Sequence, residues 1–171
     1  ADSRRVFACF EQPDLKATFQ LTVIGPAHWR VVSNSPSPEP VAVSDGVARW
    51  EFAPTPRIST YITALVAGPY HRVSDSYTGA YGTYPLDLYC RTSLAKYLDA
   101  DEIFTVTKQG FEFFEAQFGV AYPFAKYDQL FVPEFNAGAP ENAGAVKLTE
   151  SYASRSKLTD AIKQPRVVTS L

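Results

Sequence analysis

The sequence predicts a mainly β fold with some α: an antiparallel β domain over residues 1–71, then a segment over 72–171 that mixes strands with one helix. Three observations predict it. Strand-like runs follow one another closely through the first domain with no helical period between them, which argues for antiparallel pairing. The pattern changes after Gly68-Pro69. Beyond that point Ile103, Phe104, Thr107, Phe111, Phe114 and Phe118 recur near the 3.6-residue period of an amphipathic helix.

Each element follows from local chemistry. Ala17–Ile24 alternates large apolar and polar side chains, as a strand with one buried face does. Trp29–Asn34 is a second short strand, closed by SPSPEP, whose prolines remove backbone donors and mark a surface connection. Val47–Pro56 and Ile58–Gly68 continue the series, and Asp45-Gly46 before Val47 is a hairpin-type turn signal. Tyr84–Arg91 is a further strand. The helix then begins at Asp99, placed to cap the first turn while Glu102 reaches back to it, and stops at Gly119. Lys126–Phe135 and Val146–Glu150 read as strands separated by a glycine-rich loop. From Thr159 the tail has helical character, which Pro165 interrupts.

Bulk properties exclude several function classes. A net charge of −2 leaves no basic face for nucleic acid or an anionic membrane. No apolar run approaches the ~20 residues that span a bilayer. The opening ADSRRVFACFEQPD has no apolar stretch after its arginines, so it is no signal peptide, and both ends are abrupt enough to suggest a fragment. Cys9 and Cys90 stand far apart and read as reduced thiols of a cytoplasmic protein, with nothing nearby to support a disulfide or reactive pair.

The chemistry narrows quickly. The histidines, His28 and His71, lie in different strand regions, and neither has a second histidine at ligand spacing, so the chain is expected to hold no metal. No nucleophile elbow, cysteine-protease signature or phosphate-cradling glycine motif is present. What remains is Phe131–Gly144, FVPEFNAGAPENAG, where Glu134 and Glu141 sit among small residues past a strand end. Small residues let a ligand approach the backbone, and a carboxylate held there can pair with an ammonium group. On composition alone the run reads more readily as a solvated acidic turn.

The stretch PEFNAGAPENAG is similar to the exopeptidase loop of the aminopeptidase N family of zinc metallopeptidases, whose usual core is Gly-x-Met-Glu-Asn. Arg4–Val23, Pro54–Tyr70, Lys96–Phe104 and Phe111–Phe135 resemble the same family, in particular its actinobacterial members, so the resemblance covers nearly the whole chain. It implies a saddle-like β domain, its beginning missing, followed by the β-rich start of a thermolysin-like catalytic domain that ends before the zinc-binding helix. By that resemblance Glu141 would bind the free amine of a peptide N-terminus, and the backbone of Gly138 and Ala139 would lie along the substrate. Asn142 would close the loop structurally. Pro140 stands where the family has Met, and proline pushes Ala139 toward an extended conformation. The family's zinc site, a His-Glu-x-x-His helix and a later Glu, would lie beyond Leu171. The resemblance thus implies a truncated aminopeptidase that binds no zinc itself and is inactive alone. The competing expectation is a non-catalytic remnant that binds peptides or proteins, or self-associates through the face uncovered by truncation.

Overall fold

A computed structural model describes residues 3–135 and 142–153. The chain divides into two compact units, one running to Pro69 and including the segment that ends at Ala145, the other starting at Tyr70 and resuming at Val146.

In the first unit the hydrophobic alternation is realised as short antiparallel strands. They are β1 (Thr22–Pro26), β2 (Arg30–Ser33), β3 (Val41–Ser44), β4 (Val47–Glu51) and β5 (Leu65–Gly68). Strands β1, β4 and β3 form one sheet in that order, and β2 pairs with β5 in another. Asp45-Gly46 makes the β3–β4 turn, with Gly46 at a left-handed φ of 67° that favours glycine. Ala48 and Trp50, alternate residues of β4, point inward with Val31 and Phe52 to form the core, against which Leu21 and Val23 pack.

Several expected elements are shorter than the pattern suggested. The strand expected over Ala17–Ile24 begins only at Thr22; before it, Ala17 makes an isolated bridge with Ile58. The reason lies opposite: Pro54 and Pro56 have no N–H to donate, so only Phe52, Thr55 and Ile58 bond back to Leu21, Phe19 and Ala17. The same prolines end β4 at Glu51 rather than Pro56. Within Ile58–Gly68 a 3-10 turn at Thr60–Ile62 precedes the strand.

The second unit is built on a sheet of order β6-β7-β8-β9, from Tyr70–Gly79, Gly82–Arg91, Tyr127–Val132 and Ala145–Thr149. Strands β6 and β7 are a long antiparallel hairpin, while β7 and β8 run parallel. A parallel pair needs a crossover, supplied here by a 3-10 segment at Thr92–Tyr97 and helix α1, Ala100–Phe118. The helix ends as expected, with Gly119 left-handed at φ 64°. Its start differs: Asp99 occupies the cap position, but its side chain makes no cap bond, and its carbonyl accepts from the Ile103 N–H at 3.2 Å.

The parallel pair is buried along most of its length, so its two faces take different partners. Leu86 and Leu88 face an aromatic core of Tyr77, Tyr84, Phe104, Phe111, Tyr122 and Tyr127. Cys90 continues that face into a second cluster with Leu94, Phe131, Leu148 and Ala153. Gln129 joins the helix through Thr107 Oγ1 at 2.8 Å. The other face is polar. Asp87 and Asp128 stand at registered positions, Arg72 bonds Asp87 at 2.8 Å, and the Tyr89 hydroxyl donates to Asp87 at 3.2 Å. Lys126 bonds Asp128 at 2.5 Å, both almost fully enclosed. The tail expected to turn helical from Thr159 lies outside the described residues.

Candidate functional site

The candidate loop leaves β8 at Val132. Pro133 cannot donate to the ladder, and Glu134 takes a left-handed φ of 52°, uncommon for a residue other than glycine. Its side chain is exposed, and Phe135 beyond it is half-buried, with Lys147 Nζ 5.8 Å from its ring centre. Of the residues singled out in the sequence, Gly138, Ala139, Pro140 and Glu141 lie outside the described residues. Asn142 is described, and it is buried, 2% exposed.

The exit of the loop is held by amide chemistry. The Asn142 side chain donates through Nδ2 to the Ile62 carbonyl at 3.0 Å. A tight turn follows, with the Ala145 N–H donating to the Asn142 carbonyl at 2.9 Å and Gly144 left-handed at φ 70°. Asn34, at the end of β2, makes three bonds around it. Its Nδ2 donates to the Ile62 carbonyl at 2.9 Å and to the Ala143 carbonyl at 2.8 Å, and its Oδ1 accepts from the Ala64 N–H at 2.8 Å. Asn142 Oδ1 is buried without a hydrogen-bond partner among the described residues. Sequence reading placed Asn34 at a strand end and gave it no part in the loop. Nothing local signals a bond to a carbonyl 109 positions away.

Carboxamides bind and orient but transfer no protons at ordinary pH, so this cluster can only position the backbone. The other polar groups are structural in character. Burial pushes the Asp128 carboxyl up to about 6 and outweighs the attraction of Lys126, whose own amine is pushed down by the same burial. The Cys90 thiol is pushed up by burial, which disfavours the reactive thiolate. His28 is exposed in the β1–β2 turn and His71 lies in β6 opposite Cys90. Among the described residues no group of three or more His, Cys, Asp or Glu is placed to hold a metal ion, and no helix is long and apolar enough to cross a membrane. Beside the C-terminal half of α1 lies an apolar hollow of about 240 Å³ walled by Phe111, Phe114, Phe118 and Tyr122. Glu115 at its edge accepts the Tyr77 hydroxyl at 3.0 Å and the Ala80 N–H at 3.2 Å.

Comparison with known proteins supplies what the geometry leaves open. Residues 1–62 match the Peptidase M1 N-terminal domain and residues 103–170 match the Peptidase family M1 domain. The chain is 62% identical over 170 residues to aminopeptidase N of Streptomyces lividans, covering 99% of this chain and 19% of that protein. It is 35% identical over 157 residues to aminopeptidase N of Bos taurus, covering 88% of this chain and 16% of the relative. With aminopeptidase Ey of Gallus gallus it shares 32% over 153 residues, 88% of this chain and 15% of the relative. The chain thus spans less than a fifth of the length of these relatives. Two matches to the same family, over residues 1–62 and 103–170, and a likeness running nearly end to end show that the chain belongs to peptidase family M1.

Proposed function

We propose that this chain is the amino-terminal portion of a zinc-dependent, cytoplasmic aminopeptidase that removes amino acids from peptide N-termini, and that it supplies the loop anchoring the substrate amine. The observation that carries the reading is the 62% identity to an aminopeptidase N over 99% of the chain, the GAPEN loop included. Glu141 is the amine anchor: a carboxylate paired with an ammonium is a charge-assisted contact, and it selects a free amino terminus over a blocked one. Gly138 and Ala139 give the substrate backbone room, Pro140 stiffens the approach, and Asn142 holds the exit. The contribution is orientation of the scissile bond rather than bond-breaking.

This chain's own proposed part in the reaction is to orient the substrate amine. When bound elsewhere in the longer protein, zinc supplies Lewis-acid polarisation and an activated water. The longer protein is expected to release amino acids from aminoacyl amides. Glu141→Gln should raise KM by about tenfold or more, the order of a lost charge-assisted bond. The 171-residue chain alone should show no such release. An inactive longer protein, or an unchanged KM, would sink the reading.

A second behaviour is favoured by the exposed apolar residues Val6 (82% exposed) and Phe10 (81% exposed). The isolated chain should self-associate through them. Sedimentation velocity of the wild type against the Val6→Ser, Phe10→Ser double variant tests this, and a concentration-independent monomer in both disproves it.

A further inference from the structure

We propose that the hollow beside α1 is a binding site for a small primary ammonium with an aromatic body, held between the rings of Phe114 and Phe118 and the carboxylate of Glu115. The site is separate from the loop after β8 and does not depend on the role given to Glu141. Its volume of about 240 Å³ falls below the roughly 300–1,000 Å³ of sites for drug-sized ligands. The ligand is therefore of the size of one ring with a short arm.

Glu115 supplies the polar handle. It lines the hollow and is 8% exposed. Its Oε2 accepts from the Tyr77 hydroxyl at 3.0 Å and the Ala80 N–H at 3.2 Å, both on the β6–β7 hairpin, so the carboxylate is fixed before any ligand arrives. Its Oε1 is buried and has no hydrogen-bond partner among the described residues. A buried carboxylate oxygen without a donor is costly, and an incoming N–H relieves that cost. Thr107, in the same wall, is already committed: its hydroxyl donates to the Ile103 carbonyl at 2.7 Å and accepts from Gln129 at 2.8 Å.

The surroundings select a cation. Aromatic faces carry negative charge density and attract an ammonium within about 6 Å of the ring centre. Phe114 and Phe118 lie nearly parallel, 9° from coplanar with centres 5.7 Å apart. The hollow also adjoins the C-terminal end of α1, where the helix dipole is negative, yet the last turn carries no basic residue. Along the helix Asp101, Glu102, Glu112 and Glu115 are set against Lys108 alone, and Lys108 is paired with Asp75 at 2.7 Å. An anion of the same shape meets repulsion here, and a neutral alcohol forgoes the charge-assisted bond.

The test uses the longer protein containing this chain, with Glu141→Gln throughout so that the proposed amine anchor does not contribute. Three probes share one body: para-bromophenethylamine, the corresponding alcohol and para-bromophenylpropionate. Titration calorimetry should show the amine binding at least about tenfold more tightly than the alcohol, and no binding of the acid. In crystals soaked with the amine, the anomalous signal of bromine should lie beside Phe114 and Phe118. Glu115→Gln keeps an acceptor for Tyr77 and Ala80 and should weaken the amine by about tenfold while leaving the alcohol unchanged. Phe118 is 68% exposed, so Phe118→Ala removes one wall without opening the core, and it should weaken the amine by about threefold or more. Equal affinity for amine and alcohol, an amine affinity unchanged in either variant, or bromine absent from the hollow overturns the site. A hollow filled by the longer protein's own residues overturns it too. If Glu115→Gln does not fold, the probe comparison, the bromine position and Phe118→Ala decide.

Discussion

Gly79 shows how a single hydrogen atom can be required by the surroundings. It ends β6 where α1 brings Glu115 against the Tyr77 hydroxyl, and a Cβ there would collide with Glu115 Oε2 and with the Tyr77 ring and hydroxyl. Gly79→Ala should therefore break the buried Tyr77–Glu115 bond and destabilise the chain by about 2–3 kcal/mol. The midpoint of urea unfolding measures it, and a shift under about 0.5 kcal/mol refutes the account. Asp128 makes a second claim at this scale. Its neighbours are Lys126, which bonds it directly, with Asp87 and Arg72 also acting on it. Its folded value of about 6 lies above the ordinary 3.8, so over that interval the folded chain holds a proton the unfolded chain has released. The stability this group contributes is complete below its ordinary value and is lost as pH rises through about 6. A carbon-13 titration of the Asp128 carboxyl should give a midpoint near 6, and a midpoint at or below the ordinary 3.8 excludes it.

Among the elements, α1 carries its cohesion in one residue more than in its apolar stripe as a whole. Phe111 meets four rings, Tyr77 at 5.1 Å, Tyr84 at 5.7 Å, Tyr122 at 5.2 Å and Tyr127 at 5.4 Å. Phe113, two residues on, is 58% exposed. Phe111→Ala should cost about 3 kcal/mol and Phe113→Ala under about 0.5, a contrast readable in paired thermal melts. The helix was legible because its period is long and its glycine stop is chemically decisive. Strand β6 was not foreseen. Tyr70, Val73 and Tyr77 do not alternate, and the polar residues between them serve an outer strand whose Asp75 bonds Lys108 of the helix at 2.7 Å. Strand β3 escaped for a related reason: all four of its residues are exposed, so burial never imprinted a pattern on it. Conversely, Ala17–Ile24 had the alternation but faced prolines, and a strand needs donors on both sides of the ladder.

Across the whole molecule, local patterns gave the β-rich class, because it is written in the spacing of apolar residues. The site was legible only in part. The small-residue loop after β8 stands out by composition, but the residue that holds its far end does not, since Asn34 looks like any strand-terminal asparagine. The structure also returns Asn142 to Ala145 to the first unit although the loop leaves from the second, an assignment no local pattern encodes. The Asn34–Ala143 bond has a temporal consequence as well. It closes a span of 109 residues, and long closures are entropically costly until the flanking structure exists. During synthesis, when residues emerge in order, strands β2 and β5 can pair long before Ala143 leaves the ribosome. Through that interval water serves the Asn34 donor that Ala143 later accepts, and the order of translation makes this bond one of the last contacts the described residues can acquire.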